Sequence, residues 1–219
     1  MNFLEIFELN FSKTDIRDKI AITLSFIMKI LIIFYIFYSL YSKNFLWFLA
    51  GIFSFILAIS PIFFKKKYGI VLPCEIEFLL VFSLYLYFIG NVNNWYSSLY
   101  PIYDKISHFF TSMTIALLGF VTAVIVDKYT ETKMNRHATF FLILLLTISI
   151  GALWEIGEYL LDIIFSANYQ VSLNDTMLDL IFDTIGGLII AIFGFIYLKK
   201  MPKEHFTKIF LPNIKFHRK

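Results

Sequence analysis

Charged side chains and cysteines are both scarce in this sequence of 219 residues. Only 16% of the residues are charged, whereas 59% are hydrophobic and 20% are aromatic. Soluble domains are about 45–50% apolar and about 25% charged, and a water-soluble fold of this size cannot bury so many apolar side chains. The single cysteine, Cys74, excludes an intrachain disulfide and a metal cage built from cysteines. The composition therefore indicates a membrane protein.

We expect no cleavable signal peptide, and the sequence shows neither a nucleophile motif built on serine or cysteine nor a basic face suited to nucleic acid. The first nineteen residues alternate apolar and charged positions, whereas a signal peptide joins a basic start to a short apolar core. The basic residues are concentrated in connections and tails. We therefore expect no nucleic-acid partner and no organic cofactor, and we expect membrane lipids to be the surroundings of the chain.

Hydrophobic runs of about twenty residues, the length needed to cross the hydrocarbon of a bilayer, recur six times. They predict spans at residues 20–42, 45–64, 70–90, 105–126, 139–164 and 178–198. The runs are uninterrupted and lack the alternation that is typical of barrel strands, so helices are expected. The predicted fold is all-α, a polytopic transmembrane helix bundle of about six spans.

The predicted organisation has three parts. Residues 1–19 form a segment lying in the membrane interface, residues 20–198 form the six-span membrane domain, and residues 199–219 form a basic cytoplasmic tail. Within the membrane domain, residues 104–187 are predicted to carry the polar site.

Lysine and arginine are distributed unevenly among the connections. The two termini and the connections after the second and fourth spans hold sixteen of them, while the other connections hold only Lys43 and Lys105. Basic connections stay in the cytoplasm, so we predict a multi-pass protein of the plasma membrane with both termini inside. The remaining Lys29 lies within span one, and we expect its side chain to extend to the cytoplasmic surface.

Ionisable residues gather in the last three spans. Span four begins with Asp104 and His108, span five contains Glu155, Glu158 and Asp162, and span six begins with Asp175, Asp179 and Asp183. One charged side chain at the centre of a membrane helix costs about 2.5–3.5 kcal/mol, so these groups have to face each other, a cation or water. Their spacing places them on common helix faces, and the predicted topology places all three segments near the outer leaflet.

Carboxylates combined with one imidazole suit a divalent ion such as Mg²⁺, Mn²⁺, Zn²⁺ or Fe²⁺. The predicted metal ligands are Asp104, His108, Glu155, Glu158, Asp179 and Asp183, and the predicted catalytic residues are Glu155, Glu158 and His108. Local roles compete with this interpretation. Asp175 or Thr176 can cap span six with Asp179 as its partner, Asp104 can cap span four, and Asp162 can lie in headgroup water.

Three motifs occur in a fixed order across residues 95–198. They are D-x-x-x-H from Asp104 to His108, W-E-x-x-E from Trp154 to Glu158, and D-x-x-x-D-x-x-x-D from Asp175 to Asp183. This order resembles the YjdF-type predicted inner-membrane proteins. The opening D-K-x-x-H and a late aspartate followed by glycine are more weakly similar to the VanZ-like family, whose basic residue before the final helix is missing here. The resemblance implies a multi-span membrane protein and no particular activity.

Three functions are compatible with these patterns. The first is a metal-dependent enzyme acting on a lipid or lipid-linked substrate in the outer leaflet, with a glutamate or His108 as general base. Against it, no arginine lies near the acidic positions, and only Lys105 is available to neutralise a phosphate. The second is a transporter or sensor of a cation or proton, and the third is a purely structural polar cluster. Enzyme status, substrate and oligomeric state remain open at this level.

Overall fold

The computed structural model describes residues 15–129, 134–166 and 169–200, and within these ranges the chain forms helices and no strand. The helices are α1 Ile16–Tyr41, α2 Phe45–Tyr68, α3 Cys74–Val92, α4 Trp95–Ser98, α5 Ile102–Tyr129, α6 Arg136–Phe165 and α7 Leu173–Lys200. All of them except the short α4 are long and apolar enough to cross a membrane. The prediction of an all-α bundle with six spans is confirmed.

Each predicted span corresponds to one long helix, although the helix ends differ from the predicted ends. Helix α1 begins at Ile16, four residues before the predicted span, because the Asp15 carboxylate accepts a hydrogen bond of 2.8 Å from the Ile16 amide and caps the first turn. A hydrophobicity pattern marks the part of a helix that lies in lipid and does not detect such a polar first turn. The remaining parts of the predicted interfacial segment and tail, residues 1–14 and 201–219, lie outside the described residues.

The chain divides into two compact units, one containing the helices between residues 15 and 100 and the other the helices between residues 101 and 200. In the first unit, α1 packs against α2 and α3. Its core contains Ile32 and Ile36 of α1 together with Phe88 and Ile89 of α3. A short left-handed turn at Gly69, with φ of 66°, ends α2 after three lysines whose positive charge favours a helix C-terminus.

A buried ion pair lies inside the first unit. Lys29, near the middle of α1, is 1% exposed, and its Nζ atom lies 2.5 Å from Oε1 of Glu77 in the first turn of α3. The expectation that Lys29 extends to the cytoplasmic surface is therefore wrong. An acidic partner on a neighbouring helix satisfies the ammonium group within the bundle, and the sequence of α1 alone does not reveal that partner.

In the second unit, α7 packs against both α5 and α6. Glycines allow these close approaches. A Cβ atom at Gly186 would lie 2.7 Å from the backbone oxygen of Phe109, and one at Gly187 would lie 2.8 Å from the side chain of Thr147. On α6, a Cβ atom at Gly151 would collide with the carboxylate of Asp183. Small residues at helix crossings are the usual means by which membrane helices pack closely.

Two glycine-to-alanine substitutions distinguish the effect of close packing on stability from the effect of helix propensity. Gly186→Ala should destabilise the protein by about 1–3 kcal/mol, because the added methyl group meets backbone that cannot move without separating α5 from α7. Gly157→Ala, which meets nothing within 4 Å, should be neutral or stabilise by up to about 1 kcal/mol. Thermal unfolding of the two variants in the same detergent measures the difference, and equal melting temperatures would contradict the described packing.

Removing one member of the buried ion pair should be costly. Lys29→Ala leaves the Glu77 carboxylate without its ammonium partner, so we expect a loss of about 3–5 kcal/mol of stability. The double variant Lys29→Met with Glu77→Gln removes both charges and should recover most of that loss. Unfolding in denaturant measures both effects. A Lys29→Ala variant as stable as the parent protein would indicate a lysine that reaches the membrane surface instead.

Candidate functional site

The three acidic segments meet at one end of the second unit. The first turns of α5 and α7 lie beside the second half of α6, because α5 and α7 enter the unit at the end where α6 leaves it. The side chains of Lys105, Glu155, Asp175, Asp179 and Asp183 are all buried there. We call this group, with the partly buried Asp104 and His108, the polar cluster.

Lys105 lies at the centre of one half of the cluster. Its ammonium nitrogen is 2.6 Å from Asp175 Oδ1, 2.7 Å from Asp179 Oδ1 and 2.9 Å from Asp104 Oδ2. The residue is only 6% exposed. An ammonium group has three protons to donate, and three carboxylates accept them here. Lys105 therefore connects α5 to α7 and has no proton left to donate to a phosphate. The sequence had left Lys105 as the one basic residue available to neutralise a substrate phosphate.

His108 lies at the centre of the other half and uses its two ring nitrogens differently. Nδ1 is 3.2 Å and 3.3 Å from the two carboxylate oxygens of Asp183. The hydroxyl of Ser112, one helical turn further along α5, also donates to Asp183 Oδ1. Because an ionised carboxylate only accepts, the proton of a neutral His108 ring lies on Nδ1. The lone pair on Nε2 then points away from Asp183.

Three carboxylate oxygens surround that second nitrogen. His108 Nε2 is 3.7 Å from Asp104 Oδ1, 3.8 Å from Glu155 Oε1 and 3.7 Å from Asp179 Oδ1. These separations exceed hydrogen-bond length. Ligand atoms bound tetrahedrally to an ion at about 2.0–2.2 Å lie about 3.3–3.6 Å apart. One donor atom each from Asp104, His108 and Asp179 falls within 4.8 Å of the others. Glu155 is not part of this group, so its oxygen would have to move further to share a cation with all three.

Glu155 carries a buried oxygen without a hydrogen bond. The residue is 4% exposed, and among the described residues no donor reaches its Oε1 atom. The hydroxyl of the buried Thr176 interacts with the Glu155 carboxyl group, but it makes no hydrogen bond of normal length within the described residues. Leaving a buried polar atom unsatisfied costs about 1–3 kcal/mol, and more for a charged group. A carboxylate held in this way next to His108 is suited to binding something positive.

Two of the acids considered from the sequence lie at the edge of the cluster. Glu158, one turn beyond Glu155, accepts a hydrogen bond of 2.9 Å from Trp154 Nε1. The oxygens of Asp162 accept from the backbone amides of Tyr169 and Gln170 at 2.7 Å and 2.8 Å. Burial, together with the charges of Glu158 and Asp162, raises the pKa of Tyr169. Asp162 thus holds the connection before α7 in place, a more specific role than contact with headgroup water.

The capping roles considered from the sequence are wrong. Helix α7 begins earlier than predicted, and the hydroxyl of Ser172 accepts a hydrogen bond of 3.2 Å from the Asp175 amide. Asp175 therefore lies inside the first turn, where its carboxylate binds Lys105. The oxygens of Asp104 likewise face Lys105 and His108. The contact of Asp175 with Lys105 depends on tertiary packing, which local capping rules do not consider.

The sequence matches the family described as Predicted membrane protein (DUF2238) over residues 22–200. The chain belongs to this family. A relative described as an uncharacterized protein of Thermotoga maritima is 32% identical over 143 residues, which cover 64% of this chain and 71% of the relative. No solved structure matches. These comparisons do not support the weaker similarity to the VanZ-like family.

Family membership and the six long helices together identify a multi-span membrane protein with a buried cluster of acids and one histidine. Sequence reasoning did not include Lys105 and Ser112 in that cluster. Both lie on the face of α5 that carries His108, at spacings of three and four residues. A search of the same helix face one turn before and one turn after His108 would have identified both residues.

The two halves of the cluster should respond differently to loss of a charge. Asp175→Asn removes a charged partner of the buried Lys105 and should destabilise the protein by about 1–3 kcal/mol. Glu158→Gln keeps the hydrogen bond from Trp154 and should change stability by no more than about 0.5 kcal/mol. Thermal unfolding in detergent compares these two charge-neutralising changes. Equal losses would show that Glu158 belongs to the same ion-pair network as Asp175.

Proposed function

We propose that the polar cluster binds a divalent cation through His108 Nε2 and the carboxylates of Asp104, Glu155 and Asp179. The observation that carries this proposal is the arrangement around Nε2, where three carboxylate oxygens lie at 3.7–3.8 Å and the oxygen of Glu155 has no hydrogen-bond donor among the described residues. One imidazole with three carboxylates suits Zn²⁺, Mn²⁺ or Fe²⁺ better than Mg²⁺, which prefers oxygen ligands and retains water.

Asp183 has a different role in this proposal from the ligand role predicted from the sequence. Its carboxylate lies at Nδ1 of His108, on the opposite side of the ring from Asp104 and Glu155. A carboxylate that accepts from the second nitrogen of a metal-binding histidine fixes the ring and its tautomer. Ser112 donates to Asp183 and holds it in turn. Asp183 and Ser112 are therefore positioning residues, and the space for Asp183 is provided by Gly151.

We extend the proposal to an enzyme acting on a lipid or lipid-linked substrate. A divalent ion in this site would polarise an ester or phosphoryl oxygen and acidify a bound water. His108 and Glu155 are ligands in this scheme, so Glu158, at the edge of the cluster, is the carboxylate available to accept a proton. Because Lys105 is fully paired with aspartates, it does not bind the substrate.

The proposed location follows from the charge distribution. If the basic connections lie in the cytoplasm, both termini lie on the cytoplasmic side of the plasma membrane. The cluster then lies near the outer leaflet, within reach of lipid headgroups. The order of the three acidic motifs further supports placing the chain among the YjdF-type inner-membrane proteins.

A structural role is the second candidate, and one observation favours it. The ammonium of Lys105 joins α5 to α7 through the carboxylates of Asp175 and Asp179, so half of the cluster stabilises the unit whether or not a cation binds. Transport has less support. A path for ions or protons through the membrane needs polar groups along its length, and α7 carries no carboxylate between Asp183 and its C-terminal end.

Metal content of the detergent-purified protein, measured by mass spectrometry, tests the proposal. We expect one divalent ion per chain in the parent protein and its loss in Glu155→Gln and His108→Ala, because each change removes a ligand. Glu158→Gln is the matched control: the same chemical change three residues away on the same helix should leave the metal content unchanged. Asp183→Asn should retain the ion with about 10–100-fold weaker affinity, as expected for a positioning residue.

Two results would contradict the proposal. One is a metal-free parent protein that gains no thermal stability from added Zn²⁺ or Mn²⁺, since a ligand that binds the folded state must raise stability. The other is equal metal loss in Glu155→Gln and Glu158→Gln, which would place Glu158 among the ligands and contradict the proposed ligand set. The first result would leave the structural role as the better description of the cluster.

A further inference from the structure

The two halves of the polar cluster share two carboxylates. Asp104 directs Oδ2 to the Lys105 ammonium at 2.9 Å and Oδ1 towards His108 Nε2 at 3.7 Å. The Oδ1 atom of Asp179 lies 2.7 Å from the ammonium and 3.7 Å from the same ring nitrogen. The proposed cation position and the lysine nitrogen are therefore neighbouring positive positions bridged by the same two acids.

Helix bundles that hold two metal ions also use carboxylates shared between two positive positions. Carboxylates from facing helices bridge two ions about 3.5–4 Å apart, and further carboxylates and histidines complete each ion's ligands. Here Asp104 and Asp179 occupy the bridging positions, with His108 and Glu155 on one side and Asp175 on the other. The second position is surrounded by three carboxylate oxygens at 2.6–2.9 Å from a nitrogen that carries a full positive charge.

We propose that the ammonium of Lys105 acts as a tethered second cation, so that the site binds one divalent ion and not two. This inference rests on the proposed metal site and adds a statement about its stoichiometry and regulation. The lysine neutralises part of the excess negative charge without occupying the face of His108. It also repels a second ion from the position between Asp104, Asp175 and Asp179.

A single-ion site limits the chemistry that the cluster can perform. Two-ion sites bind both the attacking and the leaving oxygen in an in-line displacement at phosphorus. A site with one ion beside a fixed ammonium group lacks the second of these contacts, because Lys105 is saturated by aspartates. The substrate class that fits best is an ester or amide carbonyl of a lipid, for which one ion and one activated water suffice.

Mn²⁺ titration of the full-length protein, followed by metal analysis and electron paramagnetic resonance, tests the inference. The parent protein should bind one Mn²⁺ with the signal of an isolated ion. Lys105→Ala removes the ammonium group and opens its position, so the stoichiometry should rise to two, with a spectrum showing magnetic coupling between neighbouring ions. Lys105→Gln, which keeps more of the side-chain volume, is a second variant in case the alanine variant does not fold.

A double variant locates the second ion. Asp175 contacts Lys105 and lies outside the proposed ligand set at His108, so Lys105→Ala combined with Asp175→Asn should return the stoichiometry to one. Two ions in the parent protein, or a single ion in a folded Lys105→Ala or Lys105→Gln variant, would overturn the inference while leaving the metal site itself intact. A parent protein that binds no Mn²⁺, Zn²⁺ or Fe²⁺ would overturn the proposed metal site instead.

Discussion

The ammonium group of Lys105 lies among the carboxylates of Asp104, Asp175 and Asp179, and through the last two of these it joins α5 to α7. Charged groups among apolar helices are tolerated only when each finds a partner, because the desolvation cost of an unpaired charge is several kcal/mol. The same requirement applies to Lys29 and Glu77 in the first unit. In both units, the positions of the helices are constrained by where their few charges can be neutralised.

Close backbone contact makes this neutralisation geometrically possible. Gly186 on α7 lies against the backbone of α5, and Gly151 on α6 leaves room for the Asp183 carboxylate. With larger side chains at these positions, the helices would be held apart and Asp183 would not reach both His108 and Ser112. Packing by small residues therefore brings the helices close enough for the buried charged groups to reach their partners.

The cluster divides into a satisfied half and an unsatisfied half, and this division underlies the functional proposals. Around Lys105, every proton of the ammonium group has an acceptor at hydrogen-bond distance. Around His108 Nε2, the carboxylate oxygens stand further away, and that of Glu155 lacks a hydrogen-bond donor among the described residues. Buried polar atoms in proteins almost always have a partner, which is a protein group, an ordered water or a bound ion. The proposed cation belongs to this second half.

The sequence by itself determined that this is an all-α membrane protein with six spans and that its acids converge at one end of the last three. Hydrophobic length and the helical period are local properties, so they can be read from consecutive residues. Only the tertiary structure decided which acid pairs with which group. In the structure, Asp175 pairs with Lys105 and Lys29 pairs with Glu77. Asp183 contacts Nδ1 of His108, and Glu158 lies at the edge of the cluster. These pairings depend on the rotation and depth of each helix relative to its neighbours, which arise from packing between residues far apart in the chain.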